Sequence, residues 1–361
     1  LGGASLQGHA AFLHLITLLS TPIKLMAHKL AINGFGRIGR LTLRSILERK
    51  LTAFDVVAVN DLTDAATLAH LFKYDSVHGK WPGHVSAQGD NLCIDDLTIP
   101  VLSERDPSNL PWQSFHCDVV IESTGFFRDR ASAGKHLSAG AKKVVISAPA
   151  KDQVDATVVL GVNDHVLTGQ ETIISNASCT TNCIAPMIKV LDEAYGIQSG
   201  LMTTVHAYTS DQRIQDAPHK DLRRARAAAY SIVPTTTGAA KAVDLVLPHM
   251  QGKLDGMALR VPIPNGSLTD LTVQVSSSPS KEEVNSEFKA AASDSLKGIL
   301  EYSAEPIVSI DIVHNAHSVI FDSLATMVQG NTIKVLGWYD NEWGYANRAV
   351  DIAALLVSKS S

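Results

Sequence analysis

The chain has 361 residues, 45% of them apolar and 19% charged, with 31 basic against 36 acidic side chains and a formal net charge of -5. A folded chain of this length is expected to form about two domains, with cores large enough to need no disulfide or metal staple. The composition excludes a disordered or collagen-like chain and a strongly basic nucleic-acid binder. The four cysteines form no disulfide framework, and Cys179 and Cys183 lack the paired spacing of a zinc site, which points to a reducing compartment.

In chain order, residues 1–25 read as an extension outside the fold. Residues 10–19 are an apolar run interrupted by His14 and Thr17. The run is shorter than the roughly 20 residues that span a membrane, and no positively charged region precedes it as in a secretory signal. Met26 then opens MAHKLAINGFG, and strands and helices begin to alternate. Residues 29–33 read as a strand. Ile38, Leu41, Leu43, Ile46 and Leu47 follow helical spacing, and 55–60 is a second strand. The runs 118–122, 144–147, 156–162 and 172–175 read as further strands. Short apolar strands separated by helices imply a doubly wound, Rossmann-type parallel sheet with helices on both faces.

After Asn176 the texture changes. Residues 179–195 read as a helix and 201–208 as a strand. The stretch 209–230 is long, polar and basic, and connections of that length are often functional. Leu271, Val273 and Val275 alternate with Asp270, Thr272 and Gln274, the period of a strand with one buried face. Residues 281–295 read as an amphipathic helix and 343–358 as a final one. The expected class is α/β: a parallel-sheet domain followed by an α+β domain with a largely antiparallel sheet.

Gly34-Phe35-Gly36-Arg37-Ile38-Gly39 matches GxGxxG after a strand and at the opening of a helix. The glycines allow a tight turn, close approach of backbone to a pyrophosphate, and close helix–strand packing. The helix N-terminus offers free N–H groups to the phosphates. A glycine-rich turn without a ligand would look similar. Asp61, 22 residues after Gly39 at the end of the next strand, favours the dinucleotide reading, since a carboxylate there accepts hydrogen bonds from the ribose hydroxyls. It also repels a 2′-phosphate, and the neighbouring Leu62 offers no cation for one, so NAD is expected over NADP.

Cys179, between a strand and a helix, lies where the helix N-terminal field favours thiolate. A buried structural thiol is the alternative for any single cysteine; Cys93 and Cys117 are assigned to that class, and Cys183, one turn further into the helix, to packing. His206 lies on the same strand face as Thr204 and Tyr208. Sequence spacing does not show that Cys179 and His206 meet.

The set GFGRIGR, ASCTTN, TTVHAYTSDQR, TTTGAAKAV, LRVPIPN and WYDNEWGY resembles the phosphorylating glyceraldehyde-3-phosphate dehydrogenases, in order from about residue 29 to 356, with HAYTSDQR and HKDLRRARAAA closest to the bacterial and plastid branches. The resemblance implies an NAD-binding domain over 26–178 with 342–361, and a catalytic domain over 179–341 that includes an S-shaped loop, 209–230, lining a neighbouring subunit's cofactor site in a homotetramer. It implies Cys179 as nucleophile and His206 as its base. Besides the glycines Gly34, Gly36 and Gly39, it implies cofactor contacts from Asn33, Arg37, Ile38, Asp61, Arg105, Ser147 and Asn341. Thr209 and Arg260 match one phosphate site; Ser178, Thr180, Arg223, Thr237 and Gly238 match the other. Arg224 and Arg226 are left as surface or subunit-interface charges. No metal is implied.

The implied reaction is NAD-dependent oxidation of glyceraldehyde 3-phosphate to an acyl phosphate through a cysteine thiohemiacetal and thioester, with inorganic phosphate as acceptor, in the cytoplasm and without nucleic acid or membrane. The guanidinium fork suits both phosphates. PNGSL at 264–268 departs from the family's PNVSV, and Ala217-Pro218 is intermediate between NAD-type and NADP-type S-loops. The alternatives are erythrose-4-phosphate dehydrogenase, which shares ASCTTN, and a non-catalytic binding role on the same scaffold.

Overall fold

The structure is a computed structural model that describes residues 27–360; the expected extension, 1–25, lies outside the described residues. The first strand, β1 (His28–Asn33), runs through the glycine loop into α1 (Arg37–Glu48), and β2 (Phe54–Asn60) returns parallel to β1. Helix α2 (Ala65–Lys73) follows, capped by the Asp64 carboxylate on Thr67 N–H, and then a tight hairpin of β3 (Tyr74–Asp75) and β4 (Gly79–Lys80). The strands β5 (Val85–Gln88), β6 (Asn91–Ile94) and β7 (Leu97–Leu102) form an antiparallel edge. Next come β8 (Val119–Glu122), α3 (Arg130–Ser138), β9 (Lys143–Ile146), β10 (Ala156–Thr157) and β11 (Ile173–Ser175).

Among the described residues these strands make one nine-stranded sheet, ordered β10-β11-β9-β8-β1-β2-β7-β6-β5 and parallel from β10 to β7. The apolar runs read from sequence thus become the parallel centre. The β5–β7 edge was not anticipated, because its short, half-exposed strands carry no continuous apolar run. The strand expected at 156–162 ends at Thr157. Asn163 Oδ1 accepts from Val159 N–H at 2.8 Å and Asp164 Oδ1 from Gly161 N–H at 2.7 Å, so the side chains turn the chain out of the sheet.

The second half begins with α4 (Cys179–Tyr195) and β12 (Ile197–Ala207). It continues through β13 (Val233–Thr236), α5 (Ala239–Val246), β14 (Leu254–Val261), β15 (Ser267–Val275), α6 (Lys281–Ser293), β16 (Leu300–Ser303), β17 (Val319–Asp322), β18 (Met327–Gln329) and β19 (Thr332–Tyr339). Its sheet, ordered β13-β14-β12-β15-β19-β17-β16 with β18 on β19, is mostly antiparallel. Ile184, Met187 and Leu191 of α4 pack with Leu271, Val273 and Val335 in one core. Such side chains contribute roughly 1.5–3 kcal/mol each when fully buried.

The last helix, α7 (Trp343–Ser358), leaves the second sheet and packs its Val350, Ile352, Ala353 and Leu356 into the core of the first, with Leu30, Ile32 and Val145. Both halves are therefore stitched at the carboxyl ends of the parallel strands, where ligands bind in open α/β sheets. Among the described residues no helix is long and apolar enough to cross a membrane.

Candidate active site

The glycine loop shapes one wall. Gly34 has φ +88°, and a Cβ there would lie 2.6 Å from Thr124 N; a Cβ on Gly39 would meet Gly34 O at 2.1 Å. Gly36 is different. A Cβ there would meet nothing within 4 Å, and as N-cap it offers α1 no side-chain cap. The N–H groups of the first turn therefore face open space, the arrangement that receives a phosphate. Asp61 closes the loop by accepting from Phe35 N–H at 2.8 Å and Thr63 N–H at 3.0 Å. Asn33, Gly34, Gly36, Asp61 and Arg105 line a cavity of about 550 Å³ with Leu62 and Phe126. Two apolar side chains, a carboxylate and a bare helix end fit an adenosine diphosphate.

A second cavity, about 500 Å³, is lined by Arg37, Ile38, Ser147, Ser178, Cys179, His206, Thr209, Arg260 and Asn341, and also by Glu342 and Tyr345. Arg37 sits on its wall with its guanidinium committed: Nε and Nη2 donate to Glu342 at 2.9 and 2.5 Å, and Nη1 to Asp75 at 2.5 Å. Its backbone N–H, in the first turn of α1, is the part left for a cofactor. Ser147 Oγ is likewise tied to Glu122 O at 3.0 Å. Asn341 Oδ1 accepts from Ser267 Oγ at 2.7 Å, and Ser267 Oγ accepts from Ala207 N–H at 3.1 Å, which fixes Asn341 to the strand that carries His206. Ser267 belongs to the departing PNGSL stretch. There Gly266 has φ +88°, and a Cβ would lie 2.4 Å from Ser309 O, so glycine suits the closest packing in the loop.

Cys179 is the first residue of α4. Ser178 is the N-cap, its Oγ accepting from Thr181 N–H at 3.0 Å. The preceding Ala177 is held at φ +52°, its carbonyl accepting from Tyr345 Oη at 2.9 Å. Cys179 Sγ is 3.5 Å from His206 Nε2. His206 Nδ1 lies 2.7 Å from Ala207 O and 2.6 Å from Arg260 Nη1. Nδ1 thus meets a carbonyl acceptor and a guanidinium donor at once, and donation to Ala207 O is the arrangement that leaves the Nε2 lone pair facing the thiol.

Burial pushes the Cys179 thiol up, against the Arg260 guanidinium and the Thr180 hydrogen bonds, which pull it down. Burial first, and then Arg260, push the imidazole down to about 3. Each charge alone is disfavoured here. A proton passed from Sγ to Nε2 instead makes an oppositely charged pair in contact, in which each charge stabilises the other. Burial of both groups thus favours the neutral thiol and imidazole at rest, and a thiolate forms here only as half of a pair, not as the isolated ion that the helix end alone suggested.

The expected phosphate residues divide. Ser178, Thr209 and Arg260 line the cavity with the thiol. Thr180 Oγ1 is turned to Tyr339 Oη at 2.8 Å, which also meets Thr204 Oγ1 at 2.8 Å. Thr237 Oγ1 accepts from Ala239 N–H at 3.2 Å and, with Gly238, opens α5. Arg223 carries an exposed side chain. The neighbouring Arg224 folds inward instead, paired with Asp211, donating from Nε to Thr235 Oγ1 at 3.0 Å and from Nη2 to Thr236 O at 3.4 Å. Its charge reaches both His206 and Arg260. A run of basic residues in an irregular loop has no period to tell which one turns in. Tyr339, Glu342 and Tyr345 were also missed as site residues, although all three stand in the WYDNEWGY motif.

Comparison with known proteins agrees with this architecture. The family model described as glyceraldehyde 3-phosphate dehydrogenase, NAD binding domain, matches residues 28–130, and the corresponding C-terminal domain model matches 178–341. A glyceraldehyde-3-phosphate dehydrogenase of Mycobacterium avium is 59% identical over 336 residues, covering 92% of this chain and 99% of the relative. Relatives of the same name from Streptomyces coelicolor (58%) and, as enzyme 2, Streptomyces avermitilis (57%) cover the same shares. With the thiol and imidazole in contact beside a dinucleotide-shaped wall, and two domain models matching in order, the chain belongs to the glyceraldehyde-3-phosphate dehydrogenase family.

Proposed function

We propose that the protein oxidises glyceraldehyde 3-phosphate to an acyl phosphate with NAD and inorganic phosphate. The observation that carries this reading is the 3.5 Å contact of Cys179 Sγ with His206 Nε2 in a cavity that also holds Arg260 and adjoins the glycine loop. The dinucleotide would be held by the N–H groups of Gly36–Ile38, by Asp61 at the ribose, by Arg105 and Phe126 around the adenosine, and by Asn341 at the nicotinamide end. When bound it supplies the hydride acceptor. Asp61 makes NAD the expected form.

His206 takes the thiol proton as the sulfur adds to the aldehyde carbon and returns it to the new alkoxide, whose hydroxyl then donates to the same ring nitrogen. Loss of hydride from that carbon, with the hydroxyl proton passing to His206, leaves a thioester on Cys179. An oxygen of inorganic phosphate then attacks the thioester carbonyl, the carbon–sulfur bond breaks, and Cys179 leaves as thiolate. The Cys179 N–H, at the start of α4, stabilises the oxyanion at each addition. Arg260 holds a phosphate close to His206. As its charge is neutralised by that phosphate it ceases to oppose protonation of the ring, so substrate binding itself prepares the base. We assign the second phosphate to Ser178, Thr180, Thr237, Gly238 and Arg224, in place of Arg223.

We further infer a homotetramer. Ile214, Leu222, Tyr230 and Ile232 of the loop and its exit are at least 66% exposed in a single chain, as are Leu201 and Ile310 elsewhere in the second half, and a second copy of the same chain is the expected cover. The domain limits we propose are 26–178 with 342–361, and 179–341. Four free cysteines, one of them the nucleophile, suit a reducing cytoplasm. The test is NADH formation from glyceraldehyde 3-phosphate with and without inorganic phosphate. Strict dependence on phosphate supports the reading; phosphate-independent oxidation, or preference for erythrose 4-phosphate, overturns it.

A further inference from the structure

Two imidazoles face one another on the flank of α1, away from the catalytic pair. His78, in the turn between β3 and β4, has a side chain wholly buried. Its Nδ1 is 3.3 Å from Nδ1 of His314, in the segment between β16 and β17. Their remaining nitrogens meet carboxylates: His78 Nε2 is 3.3 Å from Glu342 Oε2, and His314 Nε2 is 2.9 Å from Glu48 Oε2. His314 is held at φ +69°, a region residues other than glycine adopt at a cost, and its ring stacks on Trp343 with centroids 3.9 Å apart.

Each imidazole thus spans a ring nitrogen and a carboxylate, and a line of contacts runs from Glu48 through His314 and His78 to Glu342. Arg37 and Asp75 lie beside Glu342, and Asp340 accepts from His314 N–H at 2.7 Å.

Glu342 passes the arrangement on. It binds Arg37 through two nitrogens, and both residues line the cavity that contains Cys179. We propose that His78 and His314 are positioning residues for the dinucleotide, their contact fixing Glu342 and, through it, Arg37 and the first turn of α1. This rests on the reading of the cleft as an NAD site. Breaking the contact weakens NAD binding and leaves the chemistry at Cys179 untouched.

The test compares wild type with His314→Asn and His314→Gly, two residues that tolerate positive φ, and with His78→Gln at the other ring. The NAD dissociation constant, KM for NAD and kcat are measured for each. All three variants are expected to bind NAD about three- to tenfold more weakly, with kcat at saturating NAD within about twofold. Variants that keep wild-type affinity, or that lose kcat as far as they lose affinity, overturn the proposal. Wild-type protein that binds no NAD overturns the cofactor reading and the proposal with it.

Discussion

Replacing His206 by asparagine removes Nε2 from its 3.5 Å contact with Cys179 Sγ and leaves the rest of the cavity standing. The ring is 5% exposed and meets Tyr339 edge-on at 6.1 Å between centroids, so a smaller amide loses some packing. That loss is of the order of 1–2 kcal/mol and does not unfold a chain of this size. The catalytic loss is larger. A positioned acid–base group contributes about 10²–10⁴-fold, or roughly 3–5 kcal/mol of barrier. Turnover is expected to fall by that factor while KM for NAD stays within about twofold, because His206 touches the thiol and Arg260 and not the glycine loop.

Alkylation of Cys179 by iodoacetamide adds the sign. In wild type the thiolate is available through the pair at neutral pH. Without the imidazole, burial acts unopposed by the pair and holds the thiol above its ordinary value, so reactivity appears only on the alkaline side. A His206→Asn protein with normal melting temperature, turnover within about tenfold of wild type and an unchanged alkylation profile would refute the reasoning.

Arg224→Ala is expected to raise the KM for inorganic phosphate about tenfold or more, and Arg223→Ala to change it less than about twofold, since only Arg224 turns in toward the site; steady-state kinetics with varied phosphate decides between them. Gly34→Ala places a Cβ 2.6 Å from Thr124 N at φ +88° and is expected to cost about 1–3 kcal/mol by chemical denaturation, with NAD binding weakened as the loop shifts. Asp75 has burial working against its charge, yet Arg37 and the N–H groups of His78 and Val77 hold it down to about 2. Its folded value is depressed, so the stability it contributes is present above the unfolded carboxylate range and is lost as pH falls from about 4 through about 2; Asp75→Asn should flatten that part of an acid-unfolding curve.

The parts of the molecule legible in sequence are those where local chemistry and burial agree. The parallel strands carry continuous apolar runs because both faces are covered. Helix 179–195 is bounded by a serine cap and by Gly196 at φ +67°, and its predicted ends are those observed. The glycine loop is legible because Gly34 and Gly39 answer close approaches of backbone and Gly36 leaves the helix end open. The β5–β7 edge was not, since half-exposed hairpin strands need no apolar run. Strand 156–162 failed because Asn163 and Asp164 cap backbone N–H groups that the sheet would otherwise have used, a competition invisible to periodicity. The contact of Cys179 with His206 joins a helix start to a strand end 27 residues on, and no local signal encodes it. Family resemblance named Arg223, and only the fold of the loop shows that Arg224 is the one turned inward.

The most direct measurement mixes the protein with glyceraldehyde 3-phosphate and NAD in the absence of inorganic phosphate, quenches in acid and weighs the chain. The account predicts one phosphoglyceryl group bound as a thioester at Cys179, absent from Cys179→Ser and discharged when phosphate is added. A chain that forms NADH at full rate yet remains unmodified, or that carries the acyl group at another residue, would contradict it.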